Sequence, residues 1–450
     1  MYFFEKNEAF RNHIICIHDN GEEFTYGQLW DKGDKLTADI PERSLVLLLA
    51  GNDPESLCAY LALLRKRCPV ILMGRKSDAA HIDGMLNTYK PNFIVENGEA
   101  KLFSEEPVEM DPQLGLLLST SGSTGAQKLV RLSYDNLQAN CESIVEYLGL
   151  TAEERPVTTL PIEYTYGLSV IHSHVAVGAA IVLTDMTFFQ REFWELVEKQ
   201  NVTSMAGVPY SYQMLDRLHI ETMDLPALKT LTQAGGHLKV ELHEKLARWA
   251  AETGRQFFVM YGQTEATARM SYVPPARCLD KIGSIGIPVP GGRIELLDEG
   301  DTYIDEPNVN GELIYFGANV SLGYAVCQED LAKADENNGR LETGDIAYRD
   351  EEGYLYISGR KKRFVKLYGK RMSLDQIQEE LSEAFAGADL VCTGDDEKGI
   401  TVWTTDAKAL ADIEMLFMDK WGIKAAMVSV KEIESIPRNT SGKVIYADLK

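Results

Sequence analysis

The sequence predicts an α/β protein with a distinct C-terminal portion, and three observations carry that reading. From Phe24 to Glu265 short apolar runs alternate with helical patterns, the signature of parallel strands joined by crossover helices. From about 280 to 358 the texture becomes Gly-rich, with the stretches GSIGIPVPGG, GELIYFG and GDIAYRDEEGYLYISG. Short strands between turns suit an antiparallel or barrel-like section. Residues 360–371, RKKRFVKLYGKR, then carry seven basic side chains and no acidic one, in a chain of net charge −23.

Taken in order, residues 25–38 read as a helix and SLVLLLA (44–50) as a buried strand. A helix follows at 54–67, a strand at 69–73, a helix at 78–89 and a strand at 92–96. Leu116, Leu117 and Leu118 form another buried strand. Ser133 is an N-cap, and Leu137, Cys141, Ile144, Val145 and Leu148 trace one face of the helix it opens. Strands continue at TTLP (158–161), AAIVLT (179–184), VTSMAG (202–207), LKTLTQAGG (228–236) and FFVMYGQTE (257–265), with helices over 190–200, 209–219 and 238–253. A domain boundary is expected at 359–363. Beyond it stand a helix through Leu374, Ile377 and Leu381, strands near 389–393 and 400–404, a helix near 407–420 and a strand near 426–430.

The 450 residues, 45% apolar and 25% charged, suit a soluble protein of roughly two to four structural units. The negative charge opposes non-specific binding to nucleic acid or anionic lipid. Seven scattered cysteines with no C-x-x-C pair fit reduced core thiols. The start, MYFFEKNEAF, lacks the pattern of a signal peptide, and the apolar stretch 168–183, interrupted by His172, Ser173 and His174, is too short and polar to span a bilayer. A cytoplasmic location is expected, with no nucleic-acid or membrane partner.

The stretch LLSTSGSTGAQKLVRL (117–132) organises the functional reading. Its glycines let the backbone approach a ligand closely, its free N–H groups form an anion-binding concavity, and its hydroxyls and Lys128 add donors and charge. A polyphosphate fits that set; a flexible hairpin tip fits the composition equally. It is not a Walker A loop, because Lys128 lies between Gln127 and Leu129. YGQTEA (261–266) offers a tyrosine for a purine, a threonine for a phosphate and a glutamate for Mg²⁺, or is simply a polar turn. Asp345 in RLETGDIAYRD can accept two ribose hydroxyls or form an Asx turn, and Lys443 in PRNTSGK stands in a Gly/Ser-containing tail where surface lysines are common.

In this order and spacing, STSGSTGAQK, YGQTE, GELIYFGANVSLGY, ETGDIAYRDEEGYLYISGRKKRFVKLYGKRM and PRNTSGK resemble the motif series of the adenylate-forming enzymes. These are the acyl-CoA synthetases, peptide-synthetase adenylation domains, D-alanine–carrier ligases and firefly luciferases. The resemblance runs from about residue 20 to the end. It implies an N-terminal domain, 1–358, of two α/β sheets plus a small β-barrel, a hinge at 359–363, and a small mobile α+β C-terminal domain, 364–450. It also implies ATP- and Mg²⁺-dependent activation of a small-molecule carboxylic acid as an acyl-adenylate, with release of pyrophosphate. The acyl group then passes to a thiol, that of coenzyme A or of the phosphopantetheine on an acyl carrier protein.

By motif match, Thr120, Ser121, Gly122, Ser123, Thr124, Gly125 and Lys128 cradle the β and γ phosphates. Gly235 and Gly236 lie against the adenine and acyl group, Tyr261 stacks on the adenine, Gly262 belongs to the nucleotide site, Thr264 bonds the α-phosphate and Glu265 carries Mg²⁺. Asp345 and Arg360 hold the ribose. Tyr164, Tyr166 and Gly167 border the acyl pocket, Lys362 is the hinge pivot, Gly369 borders the thiol tunnel, and Lys443 bridges the substrate carboxylate and α-phosphate.

Three departures stand out. Gln127-Lys128-Leu129 replaces the usual Pro-Lys-Gly, Val259 occupies the position of an adenine-reading amide, and Gln378 stands where a glutamate is usual. Amino-acid-activating members carry an aspartate where Tyr164 stands here, which favours an acid without an α-amino group, although Glu163 beside it keeps an amino-acid carrier ligase open. A catalytically silent nucleotide-binding relative is the remaining alternative. His172 and His174 are expected to be packing residues rather than metal ligands.

Overall fold

The computed structural model describes residues 1–119, 128–367, 370–385, 388–395, 398–406, 410–438 and 444–449. They form two compact units, one of residues 1–119, 128–293 and 315–341, the other of residues 294–314 and 342–449.

Two sheets build the larger unit. The nine-stranded sheet has the order Ile287–Pro288, Ser271–Val273, Gln256–Tyr261, Thr230–Gln233, Ser204–Gly207, Pro156–Val157, Ile181–Leu183, Ile14–His18, Glu23–Thr25. The strands from Gln256–Tyr261 to Ile14–His18 run parallel, and antiparallel strands close both edges. The seven-stranded sheet has the order Gly323–Ala325, Leu129–Ser133, Leu114–Ser119, Val70–Gly74, Val46–Ala50, Phe93–Glu96, Glu99–Leu102. Leu114–Ser119 to Phe93–Glu96 are parallel there. Val46–Ala50 and Val70–Gly74 are buried throughout, as apolar runs become when both faces of a sheet are covered.

The helices start where the sequence supplies caps. Thr25 and Gln28 form a capping box for Tyr26–Leu36, Asp53 caps Pro54–Arg65 with proline in the first turn, and Ser133 and Asn136 form a second box for Tyr134–Leu148. These helices join both sheets in one core, while Arg191–Lys199, Pro209–Arg217 and Val240–Glu252 pack with the nine-stranded sheet in another. The strand expected at 158–161 lies earlier, at Pro156–Val157; beyond it the hydroxyls of Thr158 and Thr159 bond the carbonyls of Thr184 and Ala206. The apolar stretch from 168 belongs to a helix, Thr165–Ala176, buried from Tyr166 to Val175 and therefore without an amphipathic period. No helix of the described residues is long and apolar enough to cross a membrane. The seven cysteines form no disulfide, and all but Cys327 are buried.

The smaller unit holds most of a four-stranded sheet, ordered Arg293–Leu297, Gly311–Phe316, Arg340–Arg349, Leu355–Arg360. After it come the paired strands Phe364–Leu367 and Lys370–Ser373, the helix Leu374–Ala384, a three-stranded sheet of Leu390–Asp395, Gly399–Thr404 and Val428–Glu432, and the helix Leu410–Trp421. Leu374, Leu381, Cys392, Ile400, Ile413 and Phe417 lie at the heart of its core. The segment 359–363 spans the end of Leu355–Arg360 and the short turn Lys361–Arg363.

Candidate active site

Lys128 is the residue just before the strand Leu129–Ser133, and Tyr324 is on the strand paired with it, opposite Val130. That register sets the Lys128 ammonium 3.2 Å from the centre of the Tyr324 ring. The Tyr324 hydroxyl in turn donates to Glu265 Oε1 at 2.8 Å. Burial, reinforced by the Glu265 carboxylate, pushes the Tyr324 phenol far above its ordinary range, so it stays a neutral donor. A cation, a ring and a carboxylate distant in sequence are thus joined in series. Thr120, Ser121, Gly122, Ser123, Thr124 and Gly125 lie outside the described residues.

Glu265 sits in a heavily tied turn. The strand Gln256–Tyr261 ends at Tyr261, whose hydroxyl accepts from Gln263 Nε2 at 3.2 Å, and the turn Thr264–Ala266 follows. A Cβ on Gly262 would run into the Ala268 carbonyl, so this close return of the chain admits only glycine. Thr267 adopts φ 63°, which a β-branched residue holds only under constraint. The constraint is visible: its hydroxyl donates to the Asn319 carbonyl at 2.7 Å, and its own carbonyl accepts from Thr165 Oγ1. Asn319 Nδ2 donates to the carbonyls of Ala266 and Arg269 at 2.9 and 3.1 Å, Asn140 Nδ2 adds a second bond to Arg269, and the Ser321 N–H reaches the Glu265 carbonyl.

The expected acyl residues gather nearby in the same unit. Gly235, at φ 86°, leaves space that the Tyr164 hydroxyl fills, 2.6 Å from where a Cβ would stand. Tyr164 meets Tyr166 edge-on, and the Tyr166 hydroxyl bonds the Thr232 carbonyl at 2.7 Å. Gln233 Nε2 holds the Gly236 carbonyl, and Gly167 packs under Pro161. Burial pushes the Tyr164 phenol up to about 12. Glu163 turns elsewhere, against Gly74 of the seven-stranded sheet, where burial raises its carboxyl. The histidines behave as packing residues: His172 Nε2 meets the Tyr60 hydroxyl at 2.8 Å, and His174 Nδ1 meets the Val170 carbonyl at 2.8 Å. Among the described residues no group of three or more His, Cys, Asp or Glu side chains stands ready for a metal.

In the smaller unit Asp345 and Arg360 face one another across an antiparallel pair, and Arg360 Nε lies 3.1 Å from Asp345 Oδ1. Asp345 is buried, and its N–H donates to Thr343 Oγ1. Of the basic run, Arg360, Lys361 and Arg363 are ion-paired, with Asp345, Glu312 and Asp375. Arg363 also donates to Gln378 Oε1 and the Cys392 carbonyl and lies 4.3 Å from the centre of the Tyr446 ring. Gln378 Oε1 accepts from the Cys392 N–H as well, so the amide at this unusual position is a structural tie. Of Lys362 only the backbone is described, in the turn Lys361–Arg363; Gly369 and Lys443 lie outside the described residues. Tyr324 and Asn319 are the site residues that sequence reasoning passed over, although both stand in the GELIYFGANVSLGY motif.

Two sheets with this strand order define a class of mixed α/β protein, and comparison narrows it. The family model described as AMP-binding enzyme matches residues 100–325, and the chain belongs to that family. The 2-succinylbenzoate–CoA ligase of Bacillus cereus is 29% identical over 74% of this chain and 69% of its own. The oxalate–CoA ligase of Arabidopsis thaliana is 31% identical over 73% and 65%. Among solved structures, the o-succinylbenzoate CoA synthetase of Bacillus subtilis in complex with its acyl-adenylate intermediate superposes with a TM-score of 0.80 at 22% identity, covering 97% of this chain and 95% of that one. The mixed α/β fold is shared with it.

Proposed function

We propose that this chain is an AMP-forming acid–thiol ligase. The substrate carboxylate attacks the α-phosphorus of ATP, the bond to the β-phosphate breaks, and pyrophosphate leaves. The thiol of coenzyme A then attacks the acyl carbonyl, and AMP leaves. The observation that carries this reading is the series Lys128–Tyr324–Glu265. It joins a cation for the departing phosphates to a carboxylate for their counter-ion, and in sequence Lys128 closely follows the 120–125 stretch whose glycines and hydroxyls suit the β and γ phosphates.

In this reading Tyr261, Gly262, Gly235 and Gly236 border the adenine, Thr264 the α-phosphate, and Asp345 with Arg360 the ribose. Tyr164, Tyr166 and Gly167 border the acid. The Glu265 carboxylate would hold a magnesium ion that accompanies the triphosphate. When bound, the ion neutralises developing phosphate charge. Residues 1–358, including a small barrel, hold the substrates; 364–450 form a lid pivoting at 359–363 about Lys362, which brings Lys443 to the reacting oxygens and then Gly369 to the thiol. Coenzyme A is favoured as acceptor because the relatives are named CoA ligases. Their acids, 2-succinylbenzoate and oxalate, differ greatly in size, so they support the reaction rather than a particular acid.

The test is acid-dependent exchange of pyrophosphate into ATP, followed by thioester formation with coenzyme A. Lys443→Ala is expected to lose about 10²–10³-fold or more in exchange; near-normal exchange would remove Lys443 from the mechanism. Hydroxamate formed with amino acids alone, passed only to a carrier protein, would replace the proposal with an amino-acid carrier ligase.

A further inference from the structure

Two arginines rank among the largest fully buried side chains, and they are provided for very unequally. Arg131 donates to the carbonyls of Leu322, Tyr324, Lys333 and Ala334 and to the Glu336 carboxylate. That guanidinium is saturated. Arg269 is 2% exposed. One of its terminal nitrogens lies 2.9 Å from the Tyr147 hydroxyl and 3.5 Å from the Met260 sulfur, its guanidinium carbon is 5.1 Å from the centre of the Tyr166 ring, and its Nε meets no acceptor. Among the described residues no carboxylate pairs with it. A guanidinium has five donors, and a buried cation without an anion is costly; a phenol, a thioether and a ring face offset little of that cost.

The position of this cation is informative. Tyr166 and Met260 belong to the apolar cluster of Leu160, Val208 and Ala234, and Tyr164 and Tyr147 pack against it. These residues surround the acyl side of the site. The Arg269 backbone is pinned there by Asn140 and Asn319 through its carbonyl, so the side chain leaves from a fixed base. His174, whose Nε2 also lacks a partner, is held neutral mainly by burial and so adds no second positive charge beside Arg269.

We propose that Arg269 receives a second anionic group on the acid, a distal carboxylate, and that the enzyme activates dicarboxylic acids at the opposite end. This rests on the acyl-site reading of Tyr164, Tyr166 and Gly235. The planar guanidinium offers paired N–H donors that match a carboxylate. A monocarboxylic acid of the same length leaves the buried cation unmatched and loses about 10²-fold or more in kcat/KM.

The experiment measures kcat/KM for pyrophosphate exchange with matched pairs, succinate against butyrate, glutarate against pentanoate, and 2-succinylbenzoate against 4-oxo-4-phenylbutanoate. The wild type is expected to prefer at least one diacid of these pairs by about 10²-fold. R269M is expected to lose that preference through a raised KM for the diacid, and R269K to retain part of it. Y147F, which keeps the ring but removes the hydroxyl bonded to the guanidinium, is expected to weaken the preference and serves if R269M fails to fold. A wild type that prefers the monoacid in every pair, or an R269M whose preference is unchanged, overturns the proposal and leaves the ligase reading standing. Activity with no acid of any kind would instead defeat the ligase reading itself.

Discussion

At the scale of single residues, Tyr324 is the clearest case of a side chain whose role only the folded chain displays. Its partner Glu265 is 59 positions away, and nothing local in the sequence joins them. Y324F keeps the ring beneath Lys128 and deletes the bond to Glu265. A hydrogen bond to a charged group contributes about 1.5–3 kcal/mol, so exchange is expected to fall about 10–100-fold, with a higher Mg²⁺ requirement. Titrating exchange against Mg²⁺ and measuring ATP binding with and without Mg²⁺ checks this; an unchanged Mg²⁺ dependence of ATP binding would reduce Tyr324 to packing. Glu163 and Tyr164 show the opposite limit of legibility. Their adjacency left two alignments open in the sequence, and their divergent neighbours, Gly74 and Gly235, separate them once folded.

At the scale of elements, the turn 264–270 depends on a neighbour 50 residues on, since Asn319 bonds the carbonyls of Ala266 and Arg269 and accepts from Tyr315 at 2.8 Å. N319L leaves the Arg269 carbonyl with Asn140 alone, the Ala266 carbonyl with the Ala268 N–H alone and the Tyr315 phenol without its acceptor, and it is expected to cost about 1–3 kcal/mol. Denaturant unfolding measures that loss, and exchange activity is expected to fall further than the lost stability explains. Ser133→Ala removes one cap from Tyr134–Leu148, and about 1 kcal/mol is expected. The contrast tracks legibility. The Ser133 cap was readable because capping is local, as were the buried strands whose apolar runs are continuous. The helix Thr165–Ala176 escaped notice because it has no side-chain cap and almost no exposed face, and the strand Glu99–Leu102 because it is wholly exposed and carries no apolar alternation.

At the scale of the whole molecule, three buried histidines set an acid limit. Burial lowers His172 to about 3 and His174 and His243 to about 4, from an ordinary 6.5. Below pH 6.5 the unfolded chain therefore binds protons that the native state refuses, and stability is lost as pH falls toward those values. Each group contributes up to about 1.4 kcal/mol per pH unit in that window. Glu163, raised by burial, acts in the opposite sense. Tm is expected to drop steeply between pH 6.5 and 5, and H172Q to flatten that slope by about a third. An equal slope in H172Q would locate the acid sensitivity elsewhere.

The saturated Arg131 also bears on how the protein is made. Its strand Leu129–Ser133 stays an open edge until Gly323–Ala325 arrives, and Leu322, whose carbonyl it binds, lies 191 residues downstream. At about 5–20 residues per second of synthesis, that interval is about 10–40 s. For that time a nascent chain on the ribosome exposes a buried-to-be strand and an uncompensated guanidinium. Only when the later segment emerges do Lys128 and Tyr324 meet, so the site is completed late in translation rather than with its first sheet.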